Sequence, residues 1–106
     1  MHISIRAVDF VLIHPVRAAV EERLACALAW SARHTAYLRV LLSCIPGPGG
    51  QVLSCCNIQL RFRDGRDLVV EDVKANFDLA AQCAATRIDR LLRQAARRRE
   101  ALPWTR

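Results

Sequence analysis

Six arginines lie between Arg87 and Arg99, and Asp89 is the one carboxylate among them. A guanidinium group presents its N–H donors in a planar fork that matches the oxygens of a phosphate or a carboxylate, and it keeps its charge at any physiological pH. Arginines at this density make either a solvated positive surface or a contact for a polyanion, and the residue types alone leave both open. The whole chain leans the same way. Its formal net charge is +6 over 106 residues, which puts nucleic acid first among partners and an anionic membrane second.

Other chemistry is thinly represented. His2, His14 and His34 are scattered, and no nucleophile stands beside a base, no carboxylate pair and no metal triad is legible. Gly47 to Gly50 lacks the Lys-Ser/Thr that follows a phosphate-binding loop. The expectation is a protein that is not an enzyme, takes no cofactor and no small-molecule substrate, and acts by occupancy. The five cysteines, Cys26, Cys44, Cys55, Cys56 and Cys83, are odd in number and none forms a two-residue-gap pair. They read as small apolar residues of a reducing compartment, with no metal site. No run approaches the roughly 18 apolar residues of a membrane span. The opening Met-His-Ile-Ser-Ile-Arg has no charged start followed by an apolar block. A cytoplasmic protein without membrane contact is expected.

The elements that must carry the arginines follow from periodicity. From Asn76 to Arg99, the residues Phe77, Ala80, Ala81, Ala84, Ile88, Leu91, Leu92 and Ala95 recur at three- and four-residue steps, which places them on one face of a helix. Arg90, Arg93 and Arg97 fall on the far side with Arg87 flanking them. Asn76 suits the N-cap, and Asp78 the positive end of the helix dipole. A first helix is expected from Pro15 to Trp30, with Val16, Val20, Leu24, Ala27 and Leu28 inward. Trp30 and His34 read as packing or capping residues near its end.

Four segments have the period of strands. His2 to Arg6 places Ile3 and Ile5 on one face, and Thr35 to Cys44 does the same for Leu38, Val40, Leu42 and Cys44. Pro46-Gly47-Pro48-Gly49-Gly50 makes a loop. From Gln51 to Arg63, the inward set is Val52, Ser54, Cys56, Ile58, Leu60 and Phe62. Asp64-Gly65 signals a hairpin whose favoured turn has positive φ at both central residues. A fourth strand spans about Asp67 to Val73, with the choice of Val69 or Val70 as the inward residue left to the turn register. The order is strand, helix, three strands, helix. The expected fold is α+β, a two-layer β-α-β-β-β-α arrangement with both helices packed on one face of a four-stranded mixed sheet. Arg39, Arg61 and Arg63 would lie on the uncovered face. Residues 1–99 are expected to form one domain and residues 100–106, with Trp104, a short tail.

This order, with particular residues on the two helices, resembles the ribosome hibernation-promoting factor family, also called ribosome-associated inhibitor or sigma-54 modulation proteins, in its short form. Val16-Arg17-Ala18-Ala19-Val20-Glu21-Glu22-Arg23-Leu24 is similar to the family's Leu-Arg-x-x-Val-x-x-Lys-Leu pattern. Asn76-Phe77, then Ala80-Ala81, then Arg87-Ile88-Asp89-Arg90-Leu91-Leu92-Arg93 is similar to its second-helix segment. The chain departs from the pattern at Ile13-His14, at Cys26, at Arg6-Ala7 and at Asn76, Asp78 and Gln82. The resemblance implies a double-stranded-RNA-binding-domain-like fold that docks on the small ribosomal subunit and inhibits translation by idle ribosomes under stress. It assigns ribosomal RNA phosphates to Arg17 and Arg23 of the first helix and to Arg87, Arg90 and Arg93 of the second, with Arg97 and Arg98 extending the basic end. An interaction adaptor or a general RNA binder on the same fold is the alternative, favoured if Glu21, Glu22 and Asp89 interrupt the positive face.

Overall fold

A computed structural model describes residues 2–98, with side chains as far as Gln94. Its elements run β1 (His2–Ala7), α1 (His14–Ala27), a 3-10 segment (Ala29–His34), β2 (Thr35–Pro46), β3 (Val52–Phe62), β4 (Asp67–Lys74) and α2 (Phe77–Arg98). The sheet order is β1-β2-β3-β4. β1 and β2 pair in parallel, because a whole helix separates them, and the two hairpins make the other pairings antiparallel. This is the expected α+β arrangement.

Period two decides which face is core. Ile5, Leu38, Val40, Leu42, Cys56, Ile58, Leu60, Phe62 and Val70 are buried on one side of the sheet. Val20 and Leu24 of α1 and Leu28 just after it meet them, as do Ala80, Ala81, Ala84, Ala85, Ile88 and Leu92 of α2. Four alanines in α2 bring its backbone close to its neighbours, and burial of each large side chain contributes about 1.5–3 kcal/mol. The helix begins as expected. Asn76 Oδ1 accepts from the Leu79 backbone N–H at 2.8 Å, which satisfies a donor that the first turn leaves unpaired.

Several boundaries differ from the sequence reading. The α-helical part of the first helix stops at Ala27 rather than Trp30. The chain tightens into the 3-10 segment, where the Ser31 hydroxyl donates to the Leu28 carbonyl and the Thr35 hydroxyl to the Ser31 carbonyl. These local bonds compete with α-helical ones and let two buried hydroxyls be satisfied. Pro15 is the second helical residue, and Ile13 caps the helix without a side-chain hydrogen bond. Leu91 is exposed, and Ala85 takes its place in the buried stripe; the side chain of Ala95 lies outside the described residues. Cys44 has inward parity but is exposed, as is Val52. The two sit at the end of the β2–β3 hairpin, where Cys44 pairs with Ser54 and Pro46 with Val52.

The Asp64-Gly65 turn also departs from expectation. Only Gly65 has positive φ, at 96°, and Asp64 does not. The Gly65 N–H donates to the Phe62 carbonyl and the Phe62 N–H to the Arg66 carbonyl, so the loop has three residues, a tight turn closed by a left-handed glycine. That register pairs Ile58 with Val70 and turns Val70 inward, leaving Val69 exposed.

Leu60 is fully buried at the centre of this core. Leu60→Asp is expected to abolish the cooperative thermal transition seen by circular dichroism. An unpaired buried carboxylate costs more than most of the roughly 5–15 kcal/mol that holds a domain together.

Candidate nucleic-acid interface

The two helices lie side by side on the sheet, so their outer surfaces form one layer that faces solvent. Arg87, Arg90 and Arg93 are exposed on α2. At about 100° per residue they fan over about 120° of the helix surface, which gives each a different neighbour. Arg87 leans over the sheet edge, where its Nη1 donates to the Glu71 carbonyl at 2.6 Å and meets the Asp72 carboxylate at 3.3 Å. Arg93 turns the other way, donating to both oxygens of Asp89 at 3.1 and 3.0 Å while its guanidinium lies 4.8 Å from the Trp30 ring centroid. Arg90 stands between them with no partner among the described residues.

Asp89 is the hub of this arrangement. It accepts from Trp30 Nε1 at 2.6 Å as well as from Arg93, so the carboxylate fixes the ring and the guanidinium that stacks on it. Trp30 is thus a packing residue, as its place in the sequence suggests. Sequence periodicity gave no sign that it would also orient an arginine.

On α1 the two arginines point apart. The Arg17 Nη2 donates to the Ile5 carbonyl at 3.1 Å, which ties the helix to β1. Arg23 faces α2 and forms a forked pair with Asp78, two bonds of 3.0 Å. Both partners remain about half exposed, at 45% and 51% of the side chain, so water screens the pair and its contribution to stability is small. The bonds from Arg23 hold the Asp78 carboxyl below its usual range. They also raise the Arg23 guanidinium, with a lesser contribution from nearby Glu22. Arg23 sits on the wall of an open groove of about 560 Å³ between the helices, beside Glu22, Cys26, Asp78 and Gln82. Two carboxylates around one guanidinium make this groove locally acidic.

The positive face of the helical layer is therefore divided. Four of the five candidate arginines with described side chains, Arg17, Arg23, Arg87 and Arg93, already donate within the protein. Asp72, Asp78 and Asp89 offset three of them, and the fifth, Arg90, is unpaired. The side chains of Arg97 and Arg98 lie outside the described residues, although both belong to α2. No metal-binding group of histidine, cysteine and carboxylate occurs among the described residues, and none of their helices is long and apolar enough to cross a membrane.

Asp64, Asp67 and Asp78 all have lowered carboxyl values in the fold. Groups of this kind stabilise the fold above the usual carboxylate value of 3.8 and lose that contribution as pH falls through the lowered one. The melting temperature is expected to drop on acidification through this window, and Asp78→Asn is expected to flatten part of the drop in a pH series of thermal melts. Burial pushes the Cys56 thiol up to about 12 and raises Cys55, whereas Cys26 and Cys44 are exposed. Alkylation of the native protein followed by peptide mass spectrometry is expected to label Cys26 and Cys44, with Cys55 and Cys56 labelled only after denaturation.

No protein-family model matches the sequence, and no curated protein matches it. Solved structures do. The Thermus thermophilus Protein Y N-terminal domain superposes with a TM-score of 0.70 at 21% identity, over 89% of this chain and 98% of that one. A ribosomal subunit interface protein from Coxiella burnetii superposes with a TM-score of 0.71 at 10% identity, over 89% of this chain and 96% of that one. These neighbours match the family that the helix residues resemble, and at such identities the likeness is one of fold: the chain has the β-α-β-β-β-α architecture of the Protein Y N-terminal domain over nearly its whole described length.

Proposed function

We propose that the protein is a ribosome-associated factor, a divergent short-form relative of the hibernation-promoting factors. It docks on the small ribosomal subunit and inhibits translation by idle ribosomes. Residues 1–99 are the docking unit and the setting is the cytoplasm; the tail expected at residues 100–106 lies outside the described residues. The observation that carries this reading is the shared fold over 89% of the chain with a protein described as a ribosomal subunit interface protein, joined to an arginine-bearing outer helical layer.

Ribosomal RNA phosphates are the ligand that this layer suits. Arg90 is free for a forked contact, and Arg87 and Arg93 keep 51% and 55% of their side chains exposed while their carboxylates hold them in place. A guanidinium has five N–H donors, so one that is bonded to aspartate retains donors for a phosphate. Arg17 and Arg23 flank the layer, and Arg97 and Arg98 extend it along α2. Docking of this kind needs no catalytic group.

The acidic partners of Arg23, Arg87 and Arg93 favour a second reading, an adaptor that binds protein or general RNA on the same fold. Sucrose-gradient co-sedimentation with ribosomes and separated subunits, repeated over a salt series, separates the two. Comigration with the small subunit that weakens steeply with salt is the expected result. A protein that stays at the top of the gradient at low salt would move the adaptor forward. Arg90→Glu is the sharpest variant, because it breaks no bond within the fold. It is expected to weaken comigration about tenfold or more, as loss and reversal of a phosphate contact should, with an unchanged thermal melt. Arg93→Glu is less clean, since it sets a second carboxylate against Asp89 and removes the stack on Trp30.

A further inference from the structure

The face of the sheet that the helices leave open carries a second set of arginines. Strand register places Tyr37 of β2 between His2 of β1 and Arg61 of β3. Ser4, Arg39 and Gln59 form the next row, and Arg6, Leu41 and Asn57 the third. The Arg39 guanidinium lies 5.0 Å from the Tyr37 ring centroid and that of Arg61 lies 5.7 Å from it. Asp67 fixes Arg61 through forked bonds of 2.7 and 2.9 Å.

Charge is distributed unevenly here. The carboxylates of this face, Asp67 and Glu71, both belong to β4 and are engaged, Asp67 by Arg61 and Gln59, Glu71 by Asn57. The β1–β2 half carries no carboxylate, and Arg6 and Arg39 are exposed and make no ion pair among the described residues. The helical layer pairs most of its arginines with aspartates, whereas this half of the sheet leaves Arg6 and Arg39 outside any ion pair, with Asp67 of β4 acting on Arg39 only through space.

We infer that this open face binds unpaired nucleotides of a single-stranded nucleic acid, with backbone phosphates on Arg6 and Arg39 and a base stacked on the Tyr37–guanidinium platform. Charge complementarity supplies the first part, since the β1–β2 strip, with two guanidiniums outside any ion pair and no carboxylate of its own, attracts a polyanion. The aromatic ring supplies the second. Two guanidiniums hold Tyr37 on the sheet, and flat π and guanidinium surfaces are what exposed bases stack on. Gln59, Asn57 and Ser4 add neutral polar edges beside the platform. A duplex hides its bases, so the site discriminates against it. The inference goes beyond docking through the helices and concerns the opposite side of the molecule.

The test is fluorescence anisotropy with a labelled oligouridylate of about ten nucleotides, within the site sizes of single-strand-binding folds. Arg39→Glu is expected to weaken binding about tenfold or more, and Tyr37→Leu by about five- to a hundredfold, the range of a lost base stack. Tyr37→Phe keeps the ring and is expected to bind as the parent does. A blunt duplex of the same length is expected to compete poorly. No binding at low salt, an Arg39→Glu variant that binds like the parent, or a duplex that competes as well as the single strand would each overturn the proposal. Arg39 is exposed and makes no bond that the fold needs, so that variant decides even if Tyr37→Leu melts. Failure of ribosome docking would appear in co-sedimentation and not in this assay.

Discussion

Everything in this molecule depends on covering one face of a four-stranded sheet with two helices. Leu38, Val40, Ile58 and Leu60 are fully buried at the centre of that face, in one core with residues of both helices, and the alanines at 80, 81, 84 and 85 let α2 lie close over β3 and β4. Once α2 is seated, α1 can lie only beside it, and the outer surfaces of both become one layer. The hydrophobic effect sets that geometry, because burial of the apolar strip outweighs anything the exposed ion pairs contribute.

The same geometry decides the electrostatics. Packing α1 next to α2 brings Arg23 against Asp78, residues 55 apart in the chain, and the 3-10 segment after α1 brings Trp30 against Asp89. A guanidinium that finds a carboxylate loses part of its reach toward an outside anion and gains a fixed direction. The helical layer therefore presents oriented arginines at lower net charge, with Arg90 as its one unpaired member among those described. Such a layer favours a partner with phosphates at set positions over indiscriminate attraction to any polyanion.

The open face of the sheet follows a different logic. Its side chains alternate with the core residues, so the strands that bury Leu38, Val40 and Leu60 necessarily turn Tyr37, Arg39 and Arg61 to the other side, where Arg39 is exposed and the other two are half-buried. Cross-strand pairing then assembles them: Tyr37 sits opposite Arg61, and Arg61 opposite Asp67. Position along the chain gives no hint that these three residues meet, and burial alone gives them no role.

Local periodicity and the chemistry of single residues are enough for the element order, the inward faces of β1, β2 and β3, the Asn76 cap and the α+β class. The resemblance in the helix segments pointed to the same fold that the solved structures share. Packing is what sets where α1 gives way to the 3-10 segment, turns Val70 and not Val69 inward, and leaves Cys44 and Leu91 exposed. Those outcomes depend on the turn at Gly65 and on where one layer ends over another. The candidate arginines were legible as residues but not as a surface. Arg93 finds Asp89 one turn back on its own helix, but Arg23 and Arg87 are paired by carboxylates that packing brings from other elements, and no carboxylate of either kind pairs with Arg90.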